Sequence, residues 1–144
     1  MEELLELRGY IERQEYPDAL SLIEEMEEMS RQDKVNKIRS FMRILLIHLI
    51  KQAAEKRTTR SWDLSIENAL EQIMLTNQRH KARGSYLYED ELQNLIGRAY
   101  PLAIKYAALE AFGGIYEPRQ ISQMIDRFVI EQKALTLIQN YHEE

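Results

Sequence analysis

Residues 31–55 read RQDKVNKIRSFMRILLIHLIKQAAE, and this stretch decides the fold. Its apolar residues alternate spacings of three and four, the period of a helix face, at Val35, Ile38, Met42, Leu45 and Leu49. Other apolar residues widen the stripe over most of the circumference: Phe41, Ile44, Leu46, Ile47 and Ile50. A helix that is apolar on nearly every side belongs inside a bundle. We therefore predict an all-α fold, a bundle of five or six helices around this central helix.

The residues before this stretch predict two shorter helices. Ser30, with Asp33 three residues on, resembles a capping box and predicts the start of the central helix. The preceding helix begins near Pro17, since proline suits a first helical turn, and Pro17 also ends a first helix that carries Leu4 and Leu5. Four glutamates give this second helix an acidic face: Glu24, Glu25, Glu27 and Glu28.

The residues after it predict a loop over 56–60 and a fourth helix capped by Ser61 or Asp63. The longest loop is predicted over 77–85. A fifth helix opens near Tyr86 and ends at the Gly113-Gly114 pair, and Pro101 should kink or split it. Its inward residues are predicted as Leu92, Leu95, Ala99, Leu102 and Tyr106. A last helix from Pro118 is predicted to bury Ile121, Ile125, Phe128, Leu135 and Ile138.

Length and composition predict one soluble helical domain over residues 1–144. The chain is 44% hydrophobic and 30% charged, with five glycines and three prolines, which argues against disorder and against a turn-rich β fold. It has no cysteine, which fits a reducing cytosol, and its acidic start is unlike a secretory signal. The longest apolar run, residues 44–50, is seven residues long and is interrupted by His48, so we expect no membrane span. We expect a cytoplasmic protein without a cofactor.

The net charge of −5 conceals a strong segregation along the chain. Residues 1–33 carry 11 acids and 3 bases, a net −8, whereas residues 34–60 carry 8 bases and 1 acid, a net +7. Folding the acidic helix back on the basic one would cancel most of this charge, and we favour that pairing over nucleic-acid binding. Complementary faces of this kind could also dock two copies of the chain or a protein partner.

Three stretches resemble a known family. They are EEMEEMSRQD at 24–33, RILLIHLIK at 43–51, and Arg60-Ser61-Trp62 followed by Ile66. Together they resemble the domain-of-unknown-function family numbered twenty-nine, found mainly in cyanobacteria, over roughly residues 12–127. The resemblance implies an all-helical fold and implies no activity.

Two residues form a weak catalytic candidate, because Arg43 and His48 have the Arg-x-x-x-x-His spacing of helical ribonucleases of the HEPN type. There the histidine would move a proton and the arginine would hold a phosphate. Five residues place the two side chains roughly 140° apart on a straight helix, and a histidine at the core edge is the more economical interpretation. No His-Glu-x-x-His motif is present, so a metal site would need His48 together with the acids of the second helix. We assign no metal site.

A candidate binding patch comprises Lys51, Arg57, Arg60 and Trp62, where basic residues flank the only tryptophan. Of these, Arg57 and Arg60 are the least expected to be neutralised by the acidic helix. The first functional hypothesis is a non-catalytic binding module whose partner is another protein or a second copy of the chain. The alternative is a nucleic-acid binder using Arg57, Arg60 and residues 79–83, or a ribonuclease using His48 and Arg43.

Overall fold

A computed structural model describes residues 2–79 and 84–142 of the chain, and these residues confirm the all-α prediction. Six α-helices and one 3-10 turn account for nearly all of them, without a β-strand in these ranges; one isolated bridge joins Gln78 and Ser85. The helices are α1 Glu2–Glu12, α2 Tyr16–Glu55, α3 Arg60–Asn77, α4 Glu89–Glu110, α5 Pro118–Met124 and α6 Arg127–Asn140, with the 3-10 turn at Ala111–Gly114. Among these helices, none is both long and apolar enough to cross a membrane.

Two compact units divide the chain, one ending at Val35 and the other beginning at Asn36, so the boundary lies within α2. In the first unit, α1 has no buried residue, and the first turns of α2 bury Ala19 and Leu22. The second unit contains the remainder of α2 and all the later helices.

The predicted helix start at Ser30 is wrong, because α2 continues through it as one helix of 40 residues. Ser30 is exposed, and residues 18–55 contain neither proline nor glycine to stop the helix. The helix therefore continues through the capping signal, because the residues on both sides of Ser30 favour a helix. The predicted pairing of the acidic and basic segments needed a turn at Ser30, and that turn does not form.

The second half of α2 provides the core of the second unit, as the sequence predicted. Ile38, Met42, Leu45, Leu46 and Ile50 are fully buried. The exception in the apolar stretch is Ile44, which is exposed. Around this core, α4 packs against α5 and α6, and α3 packs against α6.

Pro101 does not split α4, which runs unbroken from Glu89 to Glu110. Proline has no amide hydrogen, so the carbonyl of Gly97 loses its partner within the helix. The guanidinium of Arg127, at the start of α6, donates to that carbonyl oxygen at 3.0 Å. Arg127 also lies 4.5 Å above the ring of Tyr100 and makes a 3.4 Å ion pair with Glu131. A side chain from α6 thus replaces the hydrogen bond that Pro101 removes.

Two predicted helix ends need correction. Thr59, rather than Ser61 or Asp63, caps α3, since its side chain accepts a 3.1 Å hydrogen bond from the amide of Trp62. The predicted last helix is two helices, because Asp126 caps α6 by accepting from the amides of Phe128 and Val129. Phe128 is consequently exposed in the first turn of α6 rather than buried. Of the predicted 77–85 loop, residues 80–83 lie outside the described residues.

The Gly113-Gly114 stop is confirmed, since α4 ends at Glu110 and a tight turn follows. Three consecutive residues of this turn have left-handed backbone conformations: Phe112 with φ 52°, Gly113 with φ 68° and Gly114 with φ 81°. A Cβ atom at Gly114 would lie 2.7 Å from the carbonyl oxygen of Leu109, whereas one at Gly113 would meet open space. Glycine is therefore required more strictly at 114 than at 113.

Candidate functional site

In the predicted patch, two of the three basic residues, Lys51 and Arg57, lie against the ring of Trp62. The Nζ atom of Lys51 lies 4.7 Å from the centroid of the Trp62 ring, and the Cζ atom of Arg57 lies 4.8 Å from it. Both distances are within the range of cation–π attraction. Arg60 begins α3 and is exposed.

Lys51 is not a surface residue, contrary to its place in the predicted patch. Its side chain is only 5% exposed, and its Nζ atom lies 3.0 Å from Oε1 of Glu110 at the end of α4. A buried ammonium needs a counter-charge and hydrogen-bond acceptors to replace water. Glu110 supplies the charge and the Trp62 ring covers the ammonium, so Lys51 fastens the end of α2 to the end of α4.

Arg57 also has an ion-pair partner within the chain, although not one from the acidic residues 24–28. Its Nε atom lies 2.9 Å from Oε1 of Glu55, whose Oε2 accepts a 3.1 Å hydrogen bond from the amide of Phe112. Burial alone would raise the pKa of Glu55, but the Phe112 amide and the Arg57 guanidinium outweigh it and hold that pKa below its ordinary value. We call Lys51, Glu55, Arg57, Trp62 and Glu110 the Trp62 cluster.

His48 is half-buried, and its Nδ1 atom is buried without a hydrogen-bond partner among the described residues. Burial lowers the pKa of His48, and the nearby Lys51 lowers it further while Glu110 opposes them. Its surroundings therefore favour the neutral imidazole over the charged form. In the described part of the chain, no hydrogen bond joins His48 to Arg43, which is itself half-buried. The catalytic use of His48 and Arg43 therefore stays a prediction from the sequence.

Acidic and histidine side chains are not gathered into a metal-binding group within residues 2–79 and 84–142, where no three of them converge. The acids of the predicted second helix, at positions 24–28, belong to the same helix as His48, α2. The remaining candidate surface lies elsewhere, on α4.

The outer side of α4 carries three large apolar residues, and two of them, Leu102 and Tyr106, are predicted from the sequence to point inward. Leu102 and Tyr106 are each 43% exposed, and Leu109 is 72% exposed. The prediction that Leu102 and Tyr106 point inward is wrong. At about 100° per residue, these three share one face. The buried side of the same helix carries a stripe of alanines at 99, 103 and 107 together with large residues such as Ile96, Tyr100 and Ile104.

A cleft of about 420 Å³ lies between this outer face and the chain that follows the 111–114 turn. Its lining is mainly apolar and contains one cation and one anion: Leu102, Lys105, Tyr106, Ala108, Leu109, Gly114, Tyr116, Glu117 and Pro118. Glu117 is the N-cap of α5: its backbone carbonyl accepts from the amide of Gln120 at 2.9 Å, and its own amide donates to Oε1 of Gln120 at 2.8 Å. Ile115, next to the lining, is 73% exposed. We call this the α4 cleft.

The sequence does contain a signal for the cleft. Leu102, Tyr106 and Leu109 follow one another at spacings of four and three, while the alanines at 99, 103 and 107 form a second stripe at helical spacing. Two apolar stripes on one helix predict two packing partners. The sequence analysis treats this helix as having one apolar stripe and therefore places Leu102 and Tyr106 on the same inward face as Ala99.

The chain matches the model of a known family. The family model described as "Domain of unknown function DUF29" matches residues 11–127, in agreement with the resemblance seen in the sequence. The matched range contains the whole Trp62 cluster and the α4 cleft. No curated protein and no solved structure matches the chain.

Proposed function

The chain belongs to the DUF29 family, whose function is unknown, and from that premise we propose that it is a non-catalytic protein-interaction module. The binding site is the α4 cleft, and its occupant is an amphipathic helix of a protein partner. The outward apolar face of Leu102, Tyr106 and Leu109 carries this proposal. An amphipathic helix docks through apolar residues at spacings of three and four, and the exposed apolar residues of α4 have the matching spacing.

The chemistry of the cleft suits a helix better than a polar ligand. An apolar floor excludes water from the apolar anchors of a docked helix, and that exclusion supplies most of the binding free energy. Lys105 and Glu117 are the charged groups of the lining, and charges at the rim of an interface orient a partner more than they add affinity.

The nucleic-acid alternative receives less support from the geometry. Phosphate binding needs cations that are free to meet the nucleic-acid backbone. In the predicted patch, Lys51 is paired with Glu110 and Arg57 with Glu55, which leaves Arg60 as its exposed cation without such a pair in the described structure.

The test compares two variants with matched surface changes. Leu109→Glu places a charge in the cleft, and Leu64→Glu places the same charge on α3, where Leu64 is 59% exposed. We expect a co-purifying protein to be lost with Leu109→Glu and retained with Leu64→Glu. Equal retention by both variants would contradict the assignment of the cleft.

A parallel assay with labelled RNA at low salt addresses the alternative. We expect neither binding nor cleavage by the wild-type protein. Binding that weakens with Arg60→Ala, or cleavage lost with His48→Ala at unchanged melting temperature, would instead establish the nucleic-acid function.

A further inference from the structure

The first unit carries a strip of exposed side chains that its own packing does not use. Tyr16, Leu20, Glu24 and Glu27 follow one another on α2 at spacings of four, four and three, so they lie within about 80° of the helix circumference. Tyr16 is 55% exposed and Leu20 is 61% exposed, and both glutamates are exposed. We call these four residues the α2 strip. We infer that the α2 strip is a second docking surface, which binds a basic amphipathic helix of a protein partner.

The first unit packs through a different side of α2. Ala19 and Leu22 are the buried residues of its first turns, whereas α1 has no buried residue. At about 100° per residue, Leu20 lies about 100° from Ala19 and about 160° from Leu22 around the helix. The unit's own packing therefore leaves Tyr16 and Leu20 uncovered, and these two side chains are available as apolar contacts for a partner.

The glutamates of the strip keep an uncompensated negative charge. Neither Glu24 nor Glu27 forms an ion pair within the described part of the chain. Like charges three or four residues apart on a helix repel each other, and Glu24 has Glu27 and Glu28 at these two spacings. A cation brought by a partner would reduce this repulsion.

Most of the bases near the strip are engaged elsewhere. Residues 1–33 carry 11 acids and 3 bases, a net charge of −8. Arg8 makes a 2.9 Å ion pair with Glu12 on α1. Arg13 makes a 3.2 Å ion pair with Glu15 in the turn before α2. Because the negative charge is in such excess, the partner that complements this surface is basic.

The order of residues along the strip specifies the face that the partner presents. Its two apolar side chains come first, and its two carboxylates follow them along α2. A helix docked lengthwise would place its own apolar residues on Tyr16 and Leu20. Its lysines or arginines would then meet Glu24 and Glu27. The apolar contacts supply most of the affinity, whereas the ion pairs fix the direction of the bound helix.

Binding of a synthetic peptide tests the chemistry of the partner. The probe is a peptide of about 20 residues, long enough to form a helix, with leucines at one end of one face and lysines at the other end. In the control peptide, glutamate replaces each lysine. We expect the full chain to bind the basic peptide at about 0.15 M salt and not the acidic one. No binding of the basic peptide, or equal binding of the two, overturns the inference.

A matched pair of leucine substitutions locates the bound peptide. Leu20→Asn on α2 and Leu64→Asn on α3 remove leucines of nearly equal exposure, 61% and 59%. We expect Leu20→Asn to weaken binding of the basic peptide about fivefold or more, and Leu64→Asn to change it by less than about twofold. Circular dichroism of each variant confirms that the helices are retained. Equal effects of the two substitutions overturn the assignment to the α2 strip.

A matched pair of charge substitutions separates the strip from the net charge of the chain. The double variant Glu24→Gln/Glu27→Gln should weaken binding about fivefold or more and make it less sensitive to salt. Glu67→Gln/Glu71→Gln removes the same charge from α3 and should change neither property. Equal weakening by the two double variants would show that the peptide responds only to net charge, which overturns the inference.

The inference goes beyond the proposed function, because the lining of the α4 cleft contains no residue of the α2 strip. Leu109→Glu should therefore leave binding of the basic peptide unchanged. Binding that is lost with Leu109→Glu and kept with Leu20→Asn would place the peptide in the cleft and overturn the α2 strip. A wild-type dimer in sedimentation that Leu20→Asn dissociates would assign the strip to a second copy and overturn the basic partner. Failure of the cleft variants alone leaves this inference standing.

Discussion

Glu110 and Leu109 are neighbours on α4, yet they belong to regions with opposite character. Glu110 lies in the Trp62 cluster, where Lys51 and Arg57 each have a carboxylate partner and an aromatic ring. Leu109 lies in the α4 cleft, where apolar residues are exposed and Lys105 and Glu117 lack ion pairs in the described structure. The chain uses the first region to hold its helices together, whereas the second region is the site of the proposed interaction with a partner.

The two regions meet in the 111–114 turn, where the amide of Phe112 donates to Glu55 of the Trp62 cluster and Gly114 lines the α4 cleft. Phe112 has a left-handed backbone although it is not glycine, and its amide is held by Glu55. Its ring makes an edge-to-face contact with Tyr116 at 5.2 Å between centroids. The shape of the cleft therefore depends on the Trp62 cluster, and changes in the turn should affect both regions.

The largest expected effect belongs to Gly114→Ala. The new Cβ atom would meet the Leu109 carbonyl at 2.7 Å in a backbone conformation that alanine rarely adopts. We expect a loss of about 3 kcal/mol or more in the free energy of unfolding, measured by urea titration. Gly113→Ala is the control, because its Cβ atom meets open space, and it should lose about 1–2 kcal/mol. Equal losses would show that the close approach at 114 is relieved by the turn.

The two side chains of the Lys51–Glu110 pair differ in exposure, so substituting Glu110 should cost more unfolding free energy than substituting Lys51. Glu110→Gln leaves the ammonium of Lys51 buried without a counter-charge and should lose about 2 kcal/mol of unfolding free energy. Lys51→Met keeps the volume of the stem and leaves Glu110, which is 54% exposed, in water. It should lose less than about 1.5 kcal/mol. A larger loss for Lys51→Met, by thermal or urea unfolding, would contradict a structural role for the buried charge pair.

The hydrogen bond from Arg127 to the carbonyl of Gly97 is a further contact in which a charged side chain stabilises the fold. Arg127→Ala should lose about 1.5 kcal/mol of unfolding free energy, since it leaves that carbonyl without a partner. In a Pro101→Ala background the restored amide can donate to the same carbonyl, so the loss should be about 1 kcal/mol smaller. A double-mutant cycle in urea measures the difference. Additive effects would show that Arg127 acts only through Tyr100 and Glu131.

The lowered pKa of Glu55, in the Trp62 cluster, predicts that the unfolding free energy depends on pH. Its pKa is lower in the folded chain than its ordinary value of 4.5, so the folded state binds fewer protons than the unfolded state in acid. The stability it contributes is present above about pH 4.5 and is lost as the pH falls through the lowered pKa. Unfolding free energy measured across this window should fall by under about 1 kcal/mol more for the wild type than for Glu55→Gln. A parallel pH profile for the two proteins would contradict the assignment.

Local sequence patterns predicted most helices and part of the Trp62 cluster. The apolar residues from Ile38 to Ile50 determine the centre of the second unit at any plausible packing, and Arg57 and Trp62 are close in sequence. The capping signal at Ser30 misled because a cap depends on the residues before it leaving the helix. Glu110, the counter-charge of Lys51, lies 59 residues away along the chain, so only the folded structure shows that Lys51 is buried.

The sequence analysis did not predict the α4 cleft, and the physical reason differs from that for Glu110. Periodicity identifies an apolar face but does not say whether the chain itself or a partner covers it, and α4 has one face of each kind. If Leu109 is reserved for a partner, Leu109→Glu should change the unfolding free energy of the monomer by under about 0.5 kcal/mol, like Leu64→Glu. Unfolding at low protein concentration keeps association out of the measurement. A loss of several kcal/mol would place Leu109 in the chain's own core and remove the distinction between the two regions.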